Sequence, residues 1–353
     1  MTPPLETRLT QLLGTRTPIL QTGMGWVATP PLVAAACNAG AMGFLAAATI
    51  PPMEVEAEIV KLKALTSAPF GVNFLMDAPG ADVIADAIIR QDVRAAGYNR
   101  APKGPLIAKL KAAGVICIPT CGAQKHAIKA EALGADAIIV QGSEGGGHTG
   151  VVPTSLLVSQ CADAVSVPII AAGGFRDGRG LVAALALGAE GIAMGTRFVL
   201  TAESPVPTAS TDRFLAAKIA DVLITTAIDG MPQRVVVNEL VRDLERSGPA
   251  RRLVLSLRSA LALRRQTGAR IIDLLRSGLA MRANERLTRS QMLMAANAPM
   301  LAKKGMQEGD PVNGYLPGGS VAGVIEDRPT CEELVSRIIE EANATLEKLA
   351  KRG

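Results

Sequence analysis

Aromatic residues are scarce: Phe, Tyr and Trp make up 3% of 353 residues, while 48% are hydrophobic. A core of small and branched side chains suits a packed α/β domain better than an aromatic-rich β sandwich. Histidine is also rare, with only His126 and His148. The five cysteines (Cys37, Cys117, Cys121, Cys161 and Cys331) are odd in number and scattered. That spacing argues against disulfides and against a metal site, and for a reducing, cytoplasmic setting. No apolar run reaches the roughly 20 residues of a membrane span. The first residues, Met1-Thr-Pro-Pro-Leu-Glu6, lack the basic and apolar regions of a secretory leader.

The net charge of +5 is unevenly placed. Between Arg242 and Arg289 lie twelve arginines, no lysine and four acids, which leaves the remainder of the chain slightly acidic. Guanidinium groups bind phosphates bidentately, so the cluster suits a phosphorylated ligand, although a solvated helical face has the same composition. Nucleic acid is not indicated, because no recognised binding motif and few stacking aromatics accompany the charge.

Eight short apolar runs recur along the first two hundred residues: Pro18–Gly23, Met42–Ala47, Phe70–Phe74, Val93–Tyr98, Val115–Pro119, Ala137–Gln141, Pro168–Gly173 and Gly191–Gly195. Segments of helical periodicity separate them, such as Met53–Leu65, Leu106–Ala113 and Leu181–Leu187. Gly40, Gly114, Gly134 and Gly188 read as helix C-caps. Eight strand–helix units in sequence predict an α/β fold, a (β/α)8 TIM barrel; a doubly wound sheet is the alternative, but the count of eight favours closure. The fourth run is the weakest, interrupted by Arg94 and Asn99. From Thr201 the pattern changes to long, arginine-rich helical segments with a short strand pattern at Arg234–Val237. The expected organisation is therefore a barrel formed by residues 1–200 and 324–353, with a mostly helical cap or insertion at 201–323. That cap suits either covering the site or pairing subunits of a homo-oligomer.

Chemistry concentrates where the strands end. The sixth run leads into Gln141-Gly-Ser-Glu-Gly-Gly-Gly-His-Thr-Gly150, with glycines at 142, 145, 146 and 147 and a histidine at 148. Glycines there let the backbone approach a ligand and aim its amides. A histidine is the side chain best matched to proton transfer near neutral pH. The seventh and eighth runs end in Gly173-Gly174 and Gly195-Thr196, the positions at which barrels commonly hold phosphate. Gly23-Met24-Gly25 ends the first run and Asn73 breaks the third at the rim, where a flat heterocycle has room to lie against backbone and meet an amide. Together these features predict an elongated, phosphorylated cofactor across the barrel mouth. His126 sits in a helical pattern and reads as structural.

From Pro18 to Pro207, and again from Gly318 to Pro329, these motifs resemble the nitronate monooxygenase family, FMN-dependent (β/α)8 barrels formerly called 2-nitropropane dioxygenases. Inosine-monophosphate dehydrogenase shares a looser version of the phosphate run, but it needs a nucleophilic cysteine in the sixth loop, and this loop has none. The resemblance implies an FMN cofactor. Asn73 and Gln141 would contact its ring and ribityl chain, and Gly146, Gly174, Gly195 and Thr196 its phosphate end. Gly23, Met24, Gly25, Gly142, Gly147 and Gly173 would complete the cradle, with His148 as the catalytic residue and no metal. Ser320, where relatives often have glutamine, departs from the family pattern. Asp229-Gly-Met-Pro-Gln-Arg234 and Gln291–Pro299 resemble one branch, the flavin-dependent dehydrogenases acting on CoA thioesters of the last steroid rings. That branch implies a bulky acyl-CoA substrate. The alternatives are nitronate oxidation with O2, an NAD(P)H-dependent enoyl-thioester or quinone reductase, a non-redox isomerase or aldolase barrel, and a non-catalytic CoA-binding protein. The electron acceptor stays open among O2, NAD(P), a quinone and another flavoprotein.

Overall fold

The computed structural model describes residues 5–99, 102–247 and 289–351. Most of the arginine-rich segment, residues 248–288, lies outside the described residues. The chain divides into two compact units. One comprises Met1–Gly145, Thr149–Pro205 and Ile325–Gly353; the other comprises Gly146–His148 and Val206–Val324.

In the first unit eight parallel strands close into a barrel, and the predicted (β/α)8 architecture is what the chain adopts. Its first six members are β1 (Ile19–Gln21), β2 (Met42–Ala46), β3 (Gly71–Leu75), β4 (Ala95–Asn99), β5 (Ile116–Cys121) and β6 (Ile138–Gln141). A two-residue strand, β7 (Gly147–His148), comes next in sequence and belongs to the second unit. The barrel resumes with β8 (Ile169–Ala172) and β9 (Gly191–Met194), which pairs back onto β1. The fourth strand begins later than its apolar pattern suggests. Arg94 precedes it and donates to the Leu12 carbonyl at 2.6 Å, while Asn99 is its last residue, opposite Leu75 and Thr120.

Around the barrel run α1 (Arg8–Leu13), α2 (Pro30–Asn38), α3 (Val55–Leu65), α4 (Ala81–Arg90), α5 (Gly104–Ala112), α6 (Gln124–Ala132), α7 (Thr154–Ala162), α8 (Gly178–Ala186) and the short α9 (Thr196–Val199). All four glycines read as C-caps have positive φ, between 78° and 101°, the left-handed geometry a side chain resists. Side-chain alternation along the strands produces two shells. The inner one gathers Leu20, Phe44, Ile118, Ile139, Ile170 and Ala193, with Leu9 and Leu13 of α1 beneath them. The outer one packs Leu45, Val72, Phe74 and Tyr98 against Leu62, Ile84, Ile88 and Leu106 of the helices. Strand β3 gives the inner cluster no apolar side chain: its Gly71 leaves room for Phe44, whose ring would lie 2.3 Å from an added Cβ.

In the second unit are α10 (Thr208–Leu215), α11 (Glu239–Arg246) and α12 (Arg289–Met306). The strand expected at Arg234–Val237 is β11 (Gln233–Val236), and it is not alone. It pairs antiparallel with β10 (Val222–Thr225), with β12 (Leu316–Pro317) and with β7. The chain then returns to the first unit, where α13 (Cys331–Ala350) packs on α8 so closely that a Cβ on Gly178 would meet Ala342 N at 2.3 Å.

Candidate functional site

Backbone from two neighbouring segments closes in on Asn73, the middle residue of β3. Gly23 follows β1 and Gly97 lies on β4. An added Cβ on Gly23 would sit 2.4 Å from Asn73 Cβ, and one on Gly97 would sit 3.0 Å from its amide nitrogen. The two glycines thus clear the space that the half-buried Asn73 occupies. Met24, in the same turn, packs against the outer core and faces Gly195 after β9, with its Sδ 3.4 Å from where a Cβ on Gly195 would lie. Gly25 is exposed and close to Thr49. Trp26, the chain's single tryptophan, holds φ at 66° and donates its N–H to Thr49 Oγ1 at 3.3 Å. A bulky residue in that region is strained, and such strain clusters at binding sites.

The loop after β6 is tied to the next strand end. Gly142 donates to the Ala172 carbonyl at 3.0 Å, and Gly145 donates back to Gly142 at 3.0 Å. Gly173 and Gly174 both have positive φ, 97° and 88°. A Cβ on Gly173 would press on Gly145 N at 2.8 Å, so no other residue fits without displacing backbone. Glu144 accepts from the Thr154 N–H at 2.8 Å and from its hydroxyl, which fixes the loop against the start of α7. Gln141 is half-buried, and the Gly145 turn folds over its side chain. Thr196 is 7% exposed and opens α9 immediately after Gly195. Main-chain amides at tight turns, threonine hydroxyls, two side-chain amides and Arg176 nearby form a donor-rich set that suits an anionic, ring-bearing ligand. Asp177 caps α8 by accepting from Gly180 at 2.9 Å. Burial opposes its charge, but the Arg179 guanidinium and the Gly180 amide outweigh burial and hold the carboxyl below its usual range.

Gly146, Gly147 and His148 belong to the second unit. A Cβ on Gly146 would lie 2.6 Å from Gly319 N, so the loop approaches the Gly318–Gly319 backbone directly. Ser320, the departure from the family pattern, opens the 3-10 segment Ser320–Val324. Gly147 pairs with Arg234 and His148 with Gln233 across the β7–β11 ladder. His148 Nε2 lies 2.7 Å from Asp229 Oδ2. Asp229 is 6% exposed, whereas the His148 side chain is about half exposed at 53%. The same carboxylate accepts from the Met231 N–H at 3.0 Å and from the Gln233 side-chain amide. Gln233 and Tyr315 are buried and share a side-chain hydrogen bond. Burial and the nearby Asp229 charge push the Tyr315 phenol well above its usual range.

Asp229, Gln233, Glu144 and Thr154 were not identified as site residues from sequence. Asp229 and Gln233 fall inside the motif that carried the branch resemblance, but their approach to His148 depends on a strand pairing far apart in sequence. His126 is on α6 as expected, and it is exposed rather than part of the core. The thiol of Cys121, at the end of β5, is pushed up to about 12 by burial, which removes it as a thiolate nucleophile at neutral pH. Among the described residues no cluster of His, Cys, Asp and Glu could hold a metal, and no helix is long and apolar enough to cross a membrane.

The sequence model of the nitronate monooxygenase family matches residues 6–101 and 86–341. A protein of Rhodococcus jostii, (3aS,4S,5R,7aS)-5-hydroxy-7a-methyl-1-oxo-octahydro-1H-indene-4-carboxyl-CoA dehydrogenase, is 50% identical over 345 residues, 98% of each chain. The dehydrogenase of the same name from Mycobacterium tuberculosis is 51% identical over 341 residues, 96% of each chain. A probable nitronate monooxygenase of Staphylococcus aureus is 34% identical over 68% of this chain and 80% of its own. Among solved structures, FabK from Thermotoga maritima superposes with a TM-score of 0.80 at 31% identity, covering 99% of this chain and all of that one. A nitroalkane oxidase from Streptomyces ansochromogenes reaches 0.76 at 26% identity, covering 96% and 99%. The chain belongs to the nitronate monooxygenase family and is a flavin-dependent oxidoreductase.

Proposed function

We propose that this protein is an FMN-dependent dehydrogenase whose substrate is the CoA thioester of a bicyclic acid derived from steroid rings. The observation that carries this reading is identity of 50% and 51%, over nearly the whole of both chains, with two dehydrogenases named for such a thioester. FMN rather than a larger flavin is supported by the donor-rich turns at Gly173-Gly174 and Gly195-Thr196, which offer amides to a single terminal phosphate. Asn73 and Gln141 would bind the polar edge of the ring and the ribityl chain, with Gly23, Met24 and Gly25 lying along the ring. Gly142, Gly146 and Gly147 would let the loop main chain approach the ligand.

When bound, the flavin supplies the two-electron acceptor of the oxidation. The remaining chemistry falls to the chain. A thioester acidifies the carbon beside its carbonyl, and His148 is the group we assign to remove that proton. Its exposed side chain suits a base that must meet a substrate, and the loop carrying Gln141 also carries His148. The arginine-rich segment 242–289 is the part of the chain whose charge suits the several phosphates of coenzyme A.

The test is anaerobic bleaching of the bound flavin by a bicyclic steroid-derived acyl-CoA and, separately, by a small alkyl nitronate. Bleaching by the thioester alone is the expected result. Bleaching by the nitronate alone would replace the dehydrogenase with a monooxygenase. His148→Ala is expected to slow bleaching about 10²- to 10⁴-fold while leaving the flavin bound; full activity in that variant would remove His148 from the chemistry.

A further inference from the structure

His148 does not stand alone in its unit. The β7–β11 ladder places it opposite Gln233, and Asp229 lies four residues before Gln233 at the turn leading into β11. Three donors converge on the Asp229 carboxylate: His148 Nε2 at 2.7 Å, the Met231 N–H at 3.0 Å and the Gln233 side-chain amide. A carboxylate is an acceptor only, so the nitrogen facing it is the one that carries a proton. Gln233 is 1% exposed and is itself held by Tyr315, so the acceptor is anchored on a buried network while the imidazole beyond it is half exposed.

We infer that Asp229 is a positioning residue for the reaction proposed above. It holds His148 as the Nε2–H tautomer, so that Nδ1 is the nitrogen that takes the substrate proton. Gln233 and Tyr315 fix the direction of the carboxylate. When Nδ1 accepts the proton, the imidazolium formed keeps its Nε2–H on Asp229, whose negative charge offsets the new positive one. No proton passes to Asp229. The inference rests on the assignment of His148 as the base, but its geometric half can be tested without any substrate.

The protein has two histidines, so a ¹⁵N-histidine NMR spectrum of the flavin-loaded enzyme contains two imidazoles, and His126→Gln identifies the signals of His148. The expected wild-type spectrum, above the pH at which the ring protonates, is that of a neutral ring protonated at Nε2. In Asp229→Asn the amide can donate to Nε2, so the expected change is a shift toward the Nδ1–H tautomer. The rate of anaerobic bleaching should fall about 10²- to 10⁴-fold, with flavin stoichiometry and half-saturating substrate concentration unchanged. A wild-type ring protonated at Nδ1, or a tautomer unmoved by Asp229→Asn, would overturn the inference. So would an altered tautomer with an undiminished bleaching rate, which would leave Asp229 as a turn cap through Met231 alone. The wild-type spectrum decides the geometry even if Asp229→Asn fails to fold. If neither thioester nor nitronate bleaches the flavin, the functional reading fails, while the spectra still decide whether Asp229 orients the ring.

Discussion

Replacing Gly195 by alanine separates ligand binding from folding at the proposed flavin cradle. Gly195 has φ −103° and ψ −71°, a conformation open to any L-residue, so alanine adds no left-handed strain. An added Cβ would lie 3.2 Å from Thr22 Oγ1 and 3.4 Å from Met24 Sδ, ends of side chains that can give by a few tenths of an ångström. The cost of that adjustment, below about 1 kcal/mol, is offset by the lower backbone entropy of alanine in the unfolded chain, about 0.4–1 kcal/mol. The melting temperature of the apoprotein should therefore hold within a few degrees. The bound state differs, because the methyl would stand at the strand end where the FMN phosphate is assigned. Overpacking of a fitted contact costs about 1–3 kcal/mol, which corresponds to about a 5- to 150-fold weaker Kd. The assay is titration of apoprotein with FMN, followed by quenching of Trp26, the single tryptophan, which lies in the same rim turn as Met24. Gly173→Ala is the contrasting variant. Its φ of 97° and a Cβ 2.8 Å from Gly145 N oppose alanine before any ligand arrives, so it should lower apoprotein stability as well as affinity. Gly195→Ala that binds FMN as tightly as wild type would refute the placement of the phosphate.

Two further substitutions test the frame that holds the site. Asp327 receives the 4%-exposed Arg197 guanidinium at 2.6 Å, and Arg337 Nη1 also donates to it. Asp327→Ala leaves Arg197 buried without its counter-charge and should cost about 2 kcal/mol in a thermal or urea melt; an unchanged midpoint would show that Arg197 is held by its carbonyl contacts alone. Burial works against the Asp327 charge, but hydrogen bonds from Arg337 and the charge of Arg197 hold its folded-state carboxyl below the usual range. This contribution is therefore full above the unfolded-state carboxyl pKa and is lost as pH falls through the lower folded value. The wild-type advantage over Asp327→Ala should shrink in that acidic window and not at alkaline pH. Thr330 caps α13 and forms a capping box with Glu333. Thr330→Ala should lose about 1 kcal/mol in the same melts, and Thr330→Ser should recover most of it.

The barrel was legible because its rules are local. Its strands are short apolar runs, and the helix stops at Gly40, Gly114, Gly134 and Gly188 are glycines whose φ is positive in the fold. The rim glycines were legible for the same reason, since Gly23, Gly173 and Gly195 end their runs in the sequence itself. What failed to show is set by distant partners. Gly97 looks like an ordinary strand glycine until Asn73 is placed across it from β3. Strand β7 has two residues and β12 has two, too few to carry a period, so the sheet around Gln233–Val236 could not be read. Asp229 is an acid in a turn until the β7–β11 ladder folds His148 against it.

That difference bears on where specificity can change within this scaffold. The proposed phosphate cradle is built from backbone conformations that only glycine adopts, at Gly173 and Gly174, so its tolerance of substitution is set by sterics that any ligand would share. The surroundings of His148 are built from side chains on a separate compact unit, on a ladder of two residue pairs. A side chain there can change without rebuilding the barrel strands, because none of the barrel's ladder hydrogen bonds involves it. The reaction carried out with one flavin cradle can therefore be altered through residues such as Asp229, Gln233 and Tyr315. On this reasoning, substitutions at Gln233 should change the bleaching rate and substrate preference while FMN affinity stays level. Loss of FMN on Gln233→Leu would show that the two tasks are not separable in this chain.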